Sequence, residues 1–578
     1  MKLRSRRGLI FNLPNMGTCG SLAAKDEVLP PTQVRTNYGI IEGKRFITKS
    51  GFQSDCFLGI PYAAPPVGPR RFKKPEPPEA WDGVKKCKRF GPRSVQNDMF
   101  WDKFTCMVPQ SEDCLYLNVF APAIDTNKKY PVMFYIHGGG FMMDSAVRYT
   151  PRNVSRLLVS RGIVVVTIQY RLGYLGYFCT GDDASKGNYG LWDQYYALKW
   201  AKENIHYFGG DPDQITVAGQ SAGGVSTDLL SMSPLSRDMF KRKIVMGGSS
   251  FCHWSVAKTE EISEFCKRKA QKLGWKPRKE GYKSSLEEHE HMMSYLRKLP
   301  ASKFGTHLIG SREVFEDARL PLAPVVDGEI LPARPAKLRL DAPKMDSICG
   351  VGEQESLLFI ALGAMRCNGK DIDRVLQALS RRAHNLPRKE VEDTVREIYG
   401  DSILTRRMKK VRKEIFVNLL SDIISNYACY QYMKDSQSND KNCYSYSFDY
   451  TSRRMWGWLA TIIPFMAGTH SSELIYLFDC NYFSAPLPMN STDQSVSNQT
   501  SSWFAEFVKH GNPNHPESDQ KSVPHWDPIA KDGELEMFSI SDKPHMKKKL
   551  FGDRMLKLDG ILPSLTIYNN RSDRNTGR

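Results

Sequence analysis

Gly219-Gln220-Ser221-Ala222-Gly223 stands where a β-prone run, Ile215-Thr216-Val217-Ala218, gives way to a helix opening at Gly224-Val225-Ser226. A G-x-S-x-G sequence in that setting constrains the chain severely, because the serine must sit in a tight, strained turn. Small residues on either side let the backbone close up and push the hydroxyl outward. The pentapeptide is weak evidence alone, and its meaning depends on what accompanies it.

One companion lies upstream. Val132-Met133-Phe134-Tyr135-Ile136 has the length of a buried strand, and His137-Gly138-Gly139-Gly140-Phe141 follows it. A glycine triplet after a strand is often only a flexible turn. Its functional use is an oxyanion hole, in which residues without Cβ let backbone N–H groups approach a tetrahedral intermediate. A further donor would come from Ala222, the residue after the serine.

A base and an acid complete such a site, in the chain order serine, acid, histidine. Among twelve histidines, His470 stands out, on the Gly-containing turn Ala467-Gly468-Thr469 before an amphipathic run, Leu474-Ile475-Tyr476-Leu477-Phe478. Glu355 follows the strand-like Ser347-Ile348-Cys349-Gly350-Val351, with Glu353 and Asp346 nearby. Spacing leaves the acid open among these three carboxylates.

The chain resembles the type-B carboxylesterases of the cholinesterase-like α/β-hydrolase family from about residue 30 to about residue 555. Matching segments include Phe57-Leu58-Gly59-Ile60-Pro61-Tyr62-Ala63, Ser111-Glu112-Asp113-Cys114-Leu115-Tyr116-Leu117-Asn118, and Gly187-Asn188-Tyr189-Gly190-Leu191-Trp192-Asp193-Gln194. Asn204-Ile205-His206-Tyr207-Phe208-Gly209-Gly210-Asp211-Pro212 and Pro324-Val325-Val326-Asp327-Gly328 also fit. The resemblance implies that Ser221 is the nucleophile, Glu355 the acid and His470 the base. It further implies an oxyanion hole from Gly139, Gly140 and Ala222, and a supporting serine at Ser226. Such an enzyme cleaves small-molecule carboxyl esters through an acyl-enzyme and requires no metal or other cofactor.

Departures from the family pattern narrow the expectation. Most relatives carry Glu before the nucleophile, where it helps hold a cationic choline, and here it is Gln220. That argues against a cholinesterase and for uncharged esters. The glycine that follows the acid in the family is Ser356 here. Acetyl-selective relatives narrow the acyl pocket with aromatics, whereas the corresponding positions are Ala318 and Leu320, which implies room for acyl groups longer than acetyl. The alternatives are an inactive cholinesterase-like binding or adhesion protein, or a stoichiometric ester scavenger on the same residues.

At 578 residues the chain is long for one domain, yet no linker-like or repetitive tract divides it. Apolar runs such as Ile163-Val164-Val165-Val166-Thr167-Ile168 alternate with helical patterns. The expected class is α/β, an α/β-hydrolase with a large, mostly parallel central sheet covered by helices on both faces. Residues 1–29 read as a flexible basic leader, 30–555 as a single domain and 556–578 as a tail. Lys276 to Glu290 and Arg381 to Lys413 read as helical insertions near the mouth of the site. His289 and His291, beside Glu288 and Glu290, read as a solvated helix face rather than a metal site.

The thirteen cysteines are odd in number. One family disulfide would join Cys114 to the position of Ser94, and a second would use the position of Trp275, so both are broken. Without an export signal the sequons at Asn153, Asn490, Asn498 and Asn570 carry no weight, and the expectation is reduced thiols in a cytoplasmic protein rather than a secreted one. Met16-Gly17-Thr18-Cys19-Gly20-Ser21 has the form of a myristoylation site with a second acylatable cysteine. Translation from Met16 would allow peripheral membrane contact through the N-terminus. The net charge of +18 is spread along the chain, apart from Arg406-Arg407-Met408-Lys409-Lys410-Val411-Arg412-Lys413. Without aromatic interleaving this is not a nucleic-acid surface. The sequence carries no signal for an oligomeric state.

Overall fold

Strands apolar on both faces belong inside a sheet covered on both sides, and the β-branched runs of this chain lie there. The computed structural model describes residues 32–559 except 100–101, 103–106, 125–127, 307, 309–319, 364–368, 383–386, 401–408, 481–486, 515–523 and 549–550, and except the side chains of 381–382 and 409–412. A small sheet joins β1 (Gln33–Thr36), β2 (Gly39–Glu42) and β5 (Val84–Lys86). The large sheet contains β3 (Lys44–Ile47), β4 (Gln53–Pro61), β6 (Tyr116–Pro122), β7 (Tyr130–Ile136), β8 (Val164–Ile168) and β9 (Gly210–Gln220). It continues with β10 (Arg242–Met246), β11 (Asp346–Gly352), β12 (Cys443–Phe448), β13 (Met537–Ile540) and β14 (His545–Lys547).

The order across these eleven strands is β14-β13-β12-β11-β10-β9-β7-β8-β6-β4-β3. From β13 to β8 every neighbouring pair is parallel. The edges turn antiparallel, at β14 on one side and at β6, β4 and β3 on the other. Alternate residues feed two apolar clusters, one on each face: Val132, Phe134 and Ile136 enter one, Met133 and Tyr135 the other. Register sets three strand ends level, with Ile136 opposite Gly219 and Met246 between Gln220 and Gly350. Ligand sites of open parallel sheets form outside the carboxyl ends of the strands, and the candidate residues project from this edge.

Several local expectations need correction. Residues 276–284 are irregular, and the helix there is Ser285–Arg297, started by Ser284 accepting a hydrogen bond from the Glu287 amide at 3.2 Å. The charged stretch holds the helix Arg388–Tyr399 and the start of Lys409–Ser421, with 401–408 outside the described residues. The run after His470 is not amphipathic, since every residue of the helix Ser472–Leu477 is buried. His289 and His291 are half-buried and face different partners, His289 meeting Asp182 at 2.7 Å and His291 the Tyr282 hydroxyl at 2.8 Å.

The ten described cysteines are free and buried, and Cys114 is hydrogen-bonded to Ser94. Asn153 uses its amide to donate to the Asp479 carbonyl, and Asn490 caps the helix Ser491–His510. No helix among the described residues is long and apolar enough to cross a membrane. The myristoylation motif and Asn570 lie outside the described residues, as do Arg406 to Met408 of the basic cluster.

Candidate active site

Ser221 connects β9 to the buried helix Ala222–Met232 with φ 58° and ψ −124°, a conformation that L-residues avoid. The strain persists because the surroundings leave no alternative. A Cβ on Gly223 would lie 2.1 Å from the Ile136 carbonyl oxygen, so only glycine lets the helix pack this close to β7. The Ser221 amide donates to the Met246 carbonyl at 2.8 Å, tying the turn to β10. The serine is 7% exposed.

The glycine loop folds directly against this turn. Gly139 has φ 89°, and a Cβ there would come within 2.0 Å of the Met143 carbonyl oxygen. A Cβ on Gly138 would reach 2.9 Å from the Ser221 Cβ, which measures how closely the two motifs approach. His137 is a scaffold residue: its ring stacks on Tyr170 at 4.5 Å, and burial pushes its proton affinity below the ordinary value. Ala222 begins the helix, so its N–H lies at the positive end of the helix dipole.

Of the three nearby carboxylates, Glu355 is the one that meets His470. Its Oε2 is hydrogen-bonded to His470 Nδ1, and its Oε1 accepts from the Gly352 amide at 2.6 Å. Asp346 starts β11 at the opposite end of the strand, and Glu353 is partly exposed, 3.7 Å from Lys547. A carboxylate can only accept, so the imidazole proton is on Nδ1 and Nε2 keeps its lone pair. Thr469 joins the acid turn to the base, its hydroxyl donating to the Gln354 carbonyl at 2.8 Å and accepting from the Leu358 amide at 2.9 Å. The Phe359 ring packs 5.2 Å from His470.

Ser356 is accommodated by hydrogen bonds. Its amide donates to Ser421 Oγ at 3.0 Å and its hydroxyl to the Val417 carbonyl at 2.9 Å, which fastens the acid turn to the helix Lys409–Ser421. Its φ of −77° makes no demand for glycine. Ser226 is fully buried, and its hydroxyl has no hydrogen-bond partner among the described residues. Leu320 belongs to the larger apolar cluster, and Ala318 lies outside the described residues.

Two features escape a reading of spacing. Gln220 Nε2 lies 3.4 Å from His470 Nε2, so the residue before the serine touches His470 itself. Glu473, three residues past His470, is buried with neither oxygen bonded outside its own residue among the described residues. Burial, reinforced by the charge on Glu355, pushes its carboxyl up to about 8. A glutamate in an otherwise apolar helical run was the available signal.

The sequence profile of the carboxylesterase family matches residues 30–556. The chain belongs to the carboxylesterase family. It is 34% identical to esterase cest-33 of Caenorhabditis elegans over 80% of this chain and 82% of that protein. It is 31% identical to the bile salt-activated lipase of Bos taurus over 89% and 85%, and 32% identical to pyrethroid hydrolase Ces2e of Rattus norvegicus over 84% and 82%. As a carboxylesterase it hydrolyses carboxylic esters, and the eleven-stranded sheet flanked by helices is the α/β-hydrolase architecture of that family.

Proposed function

We propose that this carboxylesterase works through Ser221, His470 and Glu355 on uncharged esters whose acyl group is longer than acetyl. The observation that carries the reading is the hydrogen bond between Glu355 and His470 Nδ1, which leaves Nε2 basic beside the strained serine turn. His470 Nε2 takes the Ser221 proton as Oγ attacks the ester carbonyl, and Glu355 stabilises the imidazolium that forms. The oxyanion rests on the amides of Gly139, Gly140 and Ala222, held in place before the reaction starts. Collapse expels the alcohol, which takes its proton from His470. A water deprotonated by the same nitrogen then cleaves the acyl-enzyme.

The chain-length preference rests on Ala318 and Leu320, neither of them aromatic. Hydrolysis of p-nitrophenyl esters from acetate to decanoate, with Ser221→Ala alongside, tests both parts. Turnover should fall by about four to six orders of magnitude in the variant. Rates should rise beyond acetate in the wild type. An acetate optimum would overturn the pocket assignment, and an unimpaired variant would overturn the nucleophile.

A further inference from the structure

Loops at a protein surface are ordinarily polar, but the one leading into His470 is not. From Met455 to Ala467 the chain has no charged side chain. Trp456 Nε1 donates to the Ala467 carbonyl at 3.2 Å, so 457–466, which opens with the 3-10 turn Gly457–Thr461, closes into a loop with its ends together. Leu459 is buried and anchors the loop, its carbonyl accepting from the Ile462 and Ile463 amides. Trp458, Ile462 and Met466 are instead 54%, 56% and 45% exposed. Leu487, also exposed, joins the base, its carbonyl accepting from Arg454 Nε at 2.8 Å. Exposed apolar residues scattered singly are ordinary, whereas several on one loop mark an interaction surface.

The chemistry points to a lipid surface. Tryptophan beside aliphatic and thioether side chains suits the boundary between headgroups and acyl chains. Its edge carries exposed basic side chains: Arg453 at the start of the loop, and Arg156, which pairs with Asp479 where the buried Arg454 also pairs. With a net charge of +18, this composition attracts the molecule to anionic lipid. A second protein is a poorer fit, because a few half-exposed side chains fall far short of the roughly 800 Å² per partner that a stable pair buries. We infer that the 455–467 loop docks this carboxylesterase on an anionic lipid surface, with the segment that carries His470 facing the phase from which acyl esters arrive. Docking itself does not depend on the proposed catalytic roles.

The test is flotation of the full chain, made in bacteria so that no acyl group is attached, with vesicles of phosphatidylcholine alone or mixed with phosphatidylserine. The wild type should float with the anionic vesicles and be released by salt. The triple variant Trp458→Ser, Ile462→Ser, Met466→Ser should bind about tenfold less, while hydrolysing a short soluble p-nitrophenyl ester at the wild-type rate. Trp458→Ser alone, with a melting curve, covers the case in which the triple variant folds poorly. Wild type that stays unbound, or variants that float equally, would overturn the inference. So would self-association abolished by the same substitutions without any vesicle binding, which would assign the loop to a second copy of the chain.

Discussion

Gln220 puts an amide nitrogen 3.4 Å from His470 Nε2, on the side of the ring away from Glu355. An N–H directed at that lone pair occupies the acceptor that the proposed mechanism assigns to the serine proton. In that mechanism the Ser221 hydroxyl takes the place of the amide. Glutamate at this position would favour the imidazolium, since an opposite charge within about 4–6 Å stabilises the charged form. Gln220→Glu should therefore move the acid limb of the kcat/KM profile to higher pH, with little change on the alkaline plateau. A profile that superimposes on the wild type would mean that this contact is not made in solution. The sequence marks Gln220 as a departure from the family, but a contact across 250 positions of chain belongs to the tertiary fold. For Leu320 the sequence supplies the residue type alone.

The strained turn and the glycine loop were legible as elements because their requirement is steric: where a Cβ would lie 2.0 or 2.1 Å from a carbonyl oxygen, only glycine fits, and glycine is visible in a sequence. The acid turn was not. Asp346, Glu353 and Glu355 lie close together in the chain, and the direction of β11 separates them, leaving Asp346 at the far end of the strand. The same turn depends on the hydrogen bonds that hold Ser356 to Val417 and Ser421. Ser356→Ala keeps the backbone bond and removes those of the hydroxyl. Ser421 Oγ still donates to the Val417 carbonyl, so the cost is that of a lost buried hydrogen bond, about 0.5–1.5 kcal/mol. We expect a lower melting temperature and a modest fall in kcat with KM unchanged, because the acid would be held less firmly. Unaltered melting and kcat would show that the turn holds Glu355 without the helix Lys409–Ser421.

At the scale of the whole molecule, the parallel centre of the sheet was readable from apolar runs that tolerate burial on both faces. The antiparallel edges were not, since a short strand such as His545–Lys547 is partly exposed and has no periodic signature. Glu473 is buried, and the sequence hid that burial inside a run that reads as one face of a helix. Burial first, and the neighbouring Glu355 second, hold its carboxyl protonated up to about pH 8, against an ordinary value of 4.5. Between these values the folded protein binds a proton that the unfolded chain has released, so stability falls as pH rises through that window and stays low above it. Glu473→Gln removes the titrating group and keeps its shape. Below about pH 4.5, where the acid is protonated in both the folded and the unfolded chain, acid and amide should behave alike, and the gap should open steadily from there to about pH 8. By about pH 9 the variant should be the more stable by a few kcal/mol, at about 1.4 kcal/mol per tenfold change in proton affinity. Thermal melting of both proteins from about pH 5 to about pH 9 reads this as curves that separate as the pH rises. Parallel curves would mean that Glu473 ionises in the folded protein as freely as in the unfolded one, with water or a cation reaching it.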